Sequence, residues 1–115
     1  MIELRKTFDI KKYKMSFTQM VKTDKVVIYR VTQPHADGDG VSEWYEVFRY
    51  KTTGMNPMSL NYDPDETVEA YPSDEAFGLW AWSCSNLGVV EKVLNAKFAF
   101  SKHEISAFLT SCGQL

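Results

Sequence analysis

The sequence predicts an α+β domain, a three-stranded antiparallel β-meander followed by two or three short α-helices packed on one face. Three observations carry this prediction. Residues 25–33 and 44–52 are rich in β-branched and aromatic side chains in alternation. A link rich in Gly and Asp joins them. Beyond residue 72, helix-start chemistry and three-to-four-residue apolar spacing take over. A chain of 115 residues is read as one domain, 1–115, long enough to bury a core without disulfides or metals.

The first strand is read over residues 8–17. Phe8 and Ile10 alternate on one phase and Tyr13, Met15 and Phe17 on the other, so a bulge near Lys11-Lys12 brings both sets to one face. Residues 25–33 give the strongest strand signal, and Pro34 ends it. In 44–52, Trp44, Glu46, Phe48 and Tyr50 share one face, with Tyr45, Val47, Arg49 and Lys51 on the other. His35-Ala-Asp-Gly-Asp-Gly-Val41 supplies a hairpin link. Residues 53–72 lack periodicity and hold Gly54, Pro57, Pro64 and Pro72, which predicts a long functional or mobile connection.

Ser73 is placed as an N-cap, with Asp74 and Glu75 favourable beside the helix dipole. Phe77, Trp80, Ala81 and Cys84 then form an apolar helical stripe, with Leu79 and Trp82 nearly opposite. Gly78 inside that helix costs roughly 1 kcal/mol relative to Ala. Asn86 and Gly88 are read as its end. Residues 89–98 fit a helix through Val90, Val93, Leu94 and Phe98; the strand-like alternation of Leu94, Ala96, Phe98 and Phe100 is the alternative. Ser101-Lys-His-Glu104 is a capping box that opens a last short helix, with Ile105, Phe108 and Leu109 inward and Gly113 closing it.

Charge is divided along the chain. Residues 1–52 carry ten Lys/Arg and seven Asp/Glu, whereas 53–115 carry three and eight. Asp63, Asp65, Glu66, Glu69, Asp74 and Glu75 fall in a window without a base, which reads as a solvated acidic face or a rim for a basic partner. The chain shows no apolar leader and no apolar run long enough to span a bilayer. Two cysteines, Cys84 and Cys112, are too few for a disulfide framework. A reduced, cytoplasmic protein without membrane association is predicted, with a single Cys84–Cys112 bridge as the alternative.

No motif for catalysis carries. Gly38-Asp-Gly40 lacks a third glycine and a following helix. Asp37 and Asp39 lack the remaining calcium-loop ligands. Asp63-Pro-Asp65-Glu66 fixes no metal geometry, and no serine elbow is present. Cys84 or Cys112 with His35 or His103 makes a weak nucleophile pair, because Cys84 falls on the inward stripe. No catalytic residue, metal or cofactor is therefore predicted.

The leading expectation is a non-enzymatic interaction module that binds a protein partner or a second copy. Leu79 and Trp82 are its anchor, with Asp63, Asp65, Glu66 and Glu69 in its charged rim. The alternative is nucleic-acid binding through a basic, aromatic sheet face bearing Arg30, Arg49 and Lys51. A small metal-dependent enzyme using the 35–39 and 63–66 loops is a third reading. Tyr71-Pro-Ser-Asp-Glu-Ala-Phe-Gly with Trp80-Ala-Trp82, preceded by Tyr45 to Arg49, resembles a phrase found in small uncharacterised proteins of gut bacteria and their phages or mobile elements. That resemblance, over residues 44–98, implies an accessory protein that binds a host or phage component; such proteins have no known activity to carry over.

Overall fold

A computed structural model describes residues 1–113. Seven strands form: β1 (Thr7–Ile10), β2 (Met15–Lys22), β3 (Val26–Pro34), β4 (Val41–Arg49), β5 (Thr52–Gly54), β6 (Thr67–Glu69) and β7 (Ala81–Cys84). Two helices follow, α1 (Leu87–Phe98) and α2 (Lys102–Ser111). The fold is α+β, as the sequence predicts, but the sheet has five strands in the order β1-β2-β3-β4-β7, and β5 pairs with β6 in a second, two-stranded sheet. All strand pairs are antiparallel.

The first expected strand is a hairpin. The irregularity expected at Lys11-Lys12 is a 3-10 turn over Lys11–Tyr13, closed by Lys14 in the left-handed region at φ 54°. Because the chain reverses there, Phe8 stands opposite Phe17 and their rings stack at 4.4 Å. β3 and β4 then pair over nine residues, from Val26↔Arg49 to Pro34↔Val41.

The largest departure concerns residues 73–84. Ser73 makes no side-chain cap, and the turn it opens is a 3-10 turn of three residues, Asp74–Ala76. Gly78 adopts φ +92° and its amide donates to the Ala81 carbonyl at 2.7 Å. That conformation is closed to most side chains and incompatible with a helix interior. The chain emerges from it as β7, against β4, with Val47↔Trp82 and Tyr45↔Cys84. Asn86, expected near a helix end, begins one: its side chain accepts from the Val89 amide at 3.0 Å and caps α1. Residues 89–98 are helical. The capping box at Ser101 and Glu104 is present in full.

Both faces of the large sheet are covered, so its central strand is buried on both sides. Val26 and Ile28 of β3 face α1 and α2, where Val47, Cys84, Val90, Leu94, Ile105 and Leu109 complete one core. Val27, Tyr29 and Val31 face the other way, against Phe17, Phe48, Ala76 and Ala81, with Phe8, Tyr71 and Trp80 packed over them. The sequence expectation of helices on one face holds; the second layer comes from the N-terminal segment and residues 71–80. Burial of each large aliphatic side chain here is worth about 1.5–3 kcal/mol.

Tyr71 is the centre of that second layer. Its ring meets Phe8, Phe17, Tyr29 and Phe48 at 5.0–5.8 Å, all edge-on. Its hydroxyl donates to Glu46, whose other oxygen accepts from the Trp44 indole at 3.2 Å. Burial, then the neighbouring Glu46 carboxylate, push the Tyr71 hydroxyl far above its ordinary pKa.

Candidate interaction surface

The structure separates the residues expected to act together. Leu79 sits in the turn before β7, 76% exposed. Trp82 lies on β7, half-buried on the helix side of the sheet. Its ring meets Phe98 edge-on at 5.6 Å. The Arg49 guanidinium lies 5.7 Å from the Trp82 ring and 4.7 Å from that of Phe98, and it donates to the Lys97 carbonyl. Trp82 therefore packs against Phe98 of α1 and Arg49 of β4, and the two-sided helix that grouped it with Leu79 does not form.

The acidic window divides in the same way. Glu69 is 5% exposed and accepts from Lys22 at 2.6 Å and from the Leu4 amide at 2.9 Å. Burial raises its carboxyl pKa, but Lys22, Tyr50 and the Leu4 amide together outweigh burial and hold it below the ordinary value. Glu66 pairs with the Met1 ammonium at 2.8 Å. Asp63 accepts from the Asp65 amide at 2.9 Å in a local turn. Asp63 and Asp65 are exposed; Glu69 is a structural carboxylate.

Nor do Arg30, Arg49 and Lys51 share a face. Arg30 and Arg49 lie on the helix side, opposite Tyr45 and Val26 respectively. Arg49 is engaged as described, and the Arg30 Nε is buried without a hydrogen-bond partner among the described residues. Lys51 lies over Trp80 at 4.9 Å, which belongs to the opposite layer.

The other candidates for chemistry are held in structural roles. His35 donates from Nδ1 to the Asp39 carbonyl, and its Nε2 lies 3.0 Å from the Ser42 hydroxyl oxygen. Cys84 and Cys112 are free and buried, and burial raises both thiols to about 11. No group of three metal-ligating side chains converges among the described residues.

What the sequence reading missed is the arm formed by β5, β6 and the loop between them. The arm joins the body through Ile2, whose backbone bridges Val68 in parallel: the Ile2 amide donates to Thr67 at 2.8 Å and the Ile2 carbonyl accepts from Glu69 at 2.9 Å. The molecule's radius of gyration, 15.3 Å, exceeds the about 13 Å of a compact chain this long. On the arm, Met58 is 87% exposed, Leu60 is fully exposed and Tyr62 is 43% exposed. A recess of about 670 Å³ lies beside them, lined by Ile2, Met55, Pro57 and Val68 among others. Scattered single apolar residues are ordinary on a surface, and the arm exposes three of them within five residues. The available signal was Met55, Met58, Leu60 and Tyr62 recurring within an unpatterned, proline-bearing stretch.

No protein-family model, curated protein or solved structure matches the chain.

Proposed function

We propose that the chain is a non-catalytic interaction module that grips a protein partner, or a second copy, with the β5–β6 arm. The observation that carries this reading is the exposure of Met58 and Leu60 on that arm. Their burial against a partner recovers the transfer free energy that the fold leaves unused. Asp63 and Asp65 follow within the same loop, so the reading favours a partner with an apolar recess and a basic rim. Leu79 stays available as a lesser contact, and Trp82 leaves the anchor set for the core.

The test compares wild type with Met58→Ser/Leu60→Ser in affinity capture from the native host and in light scattering. The reading expects an associated protein, or a dimer, that the double variant loses while its thermal midpoint stays unchanged. Identical capture and identical mass for the two proteins overturn it.

A further inference from the structure

Two hairpin turns meet at one end of the five-stranded sheet, and a cleft of about 510 Å³ opens between them. Lys12, Tyr13 and Lys14 of the β1–β2 turn form one wall, His35 of the β3–β4 turn the other, with Gln33 and Ser42 between them. Hydrogen bonds hold the backbone of one turn and the ring of the other. Gln33 donates from Nε2 to the Tyr13 carbonyl at 2.8 Å. The His35 ring is held by Asp39 and Ser42, and a Cβ at Gly40 would stand 3.3 Å from it. Preorganisation of this kind removes an ordering cost from binding.

Tyr13 is 52% exposed, with the Lys12 ammonium 5.4 Å from its ring centre. No packing requirement explains an aromatic ring there. Lys14 holds φ 54°, a left-handed backbone that disfavours any residue with a Cβ. The cleft wall itself is basic: Lys12 and Lys14 line it, with Lys11 in the same turn, while Asp9 lies in β1 and does not line it. On the opposite turn, the Asp37 carboxylate is turned onto the Asp39 amide at 3.0 Å, and neither acid lines the cleft.

An exposed ring beside lysines, in a concave site, is how proteins hold a base by its face and its phosphate by charge. We propose that this cleft binds a nucleotide unit, with the base stacked on Tyr13 and the phosphate against Lys12 and Lys14. The unit belongs to a single-stranded nucleic acid or is a free mononucleotide, which present the same chemistry. The site is separate from the arm and does not rest on the arm's role.

The experiment is fluorescence anisotropy of a fluorescein-labelled oligothymidylate at low salt, with thymidine monophosphate as competitor. Saturable binding is expected. Tyr13→Ala weakens it about 5-fold or more, the loss of one stacked base. Lys12→Ala/Lys14→Gly lowers the dependence of log affinity on log salt by about 1. Lys14→Gly suits the backbone at that position, so unchanged or raised thermal stability separates lost binding from lost fold. Displacement by the monophosphate assigns the site to free nucleotides, and no displacement assigns it to a strand. Absence of binding at low salt overturns the proposal. So does equal affinity of wild type and Tyr13→Ala, which reduces the site to lysines attracting any polyanion.

Discussion

The Glu69 carboxylate and the Lys22 ammonium lie 2.6 Å apart, 47 residues apart in the chain, and join the small sheet to the large one. Glu69 also receives the Leu4 amide, so one buried carboxylate ties the arm, β2 and the N-terminal segment together. A buried charge is tolerated only with such partners.

Removal of Lys22 tests that junction. Lys22→Ala leaves Glu69 with one described donor fewer and is expected to destabilise the protein by about 1–3 kcal/mol. The Glu69 carboxyl titrates below its reference value of 4.5 in the folded state. Its contribution is present above that value and is lost as pH falls through the lower, folded one. Urea unfolding at neutral pH and near pH 3.5 should show an acid loss that Glu69→Gln diminishes.

At alkaline pH the sign reverses. The Tyr71 and Tyr29 hydroxyls are both raised above their reference of 10.0, first of all by burial. Each contributes stability that is present below the unfolded value and lost as pH rises toward the folded one. Above about pH 10, each such phenol removes up to about 1.4 kcal/mol per pH unit. Tyr71→Phe should flatten that decline, while costing about 1–3 kcal/mol at neutral pH through the unpaired Glu46 oxygen. Chemical denaturation across pH 7–11 measures both effects.

Trp82 and Leu79 should part company under mutation. Trp82→Ala removes the ring from Phe98 and Arg49 and is expected to cost about 2–4 kcal/mol. Leu79→Ala, in an exposed turn, should stay within about 0.5 kcal/mol of wild type. Equal effects in thermal unfolding would contradict the placement of Trp82 beneath the helices.

Ala99 closes α1 at φ 54°, where glycine is the residue of choice. Ala99→Gly should therefore stabilise the protein, by about 1 kcal/mol, a direction opposite to that of glycine substitution within a helix. The shift in denaturant midpoint reads it directly.

The cysteines offer a probe of packing. With both thiols raised to about 11 by burial, the thiolate is scarce at neutral pH and access is closed. Ellman's reagent should find no reactive thiol in the folded protein and two after denaturation.

Much of the fold was legible where one signal dominated. β3 and β4 declared themselves by β-branched alternation, and α2 by a complete capping box. Residues 73–84 misled because Phe77, Trp80, Ala81 and Cys84 match helical spacing by coincidence. Gly78 was the contrary evidence: read as a tolerated cost inside a helix, it marks the positive-φ turn that ends any helix there. Trp82 and Cys84 then share a face by strand periodicity, with Ala81 in the opposite layer. β1 and β2 merged in the sequence reading because a three-residue turn and a bulge look alike in a hydrophobic pattern. The pairing of Lys22 with Glu69, and the arm's exposure, depend on contacts between distant segments, which no local pattern encodes.

The position of Tyr71 also sets an order of events during synthesis. Phe8, Phe17 and Tyr29 can align as soon as β1 to β3 have been made, yet the ring that covers them arrives 42 residues after Tyr29. At ribosomal speeds that interval lasts roughly 2 to 8 seconds. For that time the nascent chain carries an uncovered aromatic sheet face, and its solubility rests on whatever shields that face until residue 71 is added.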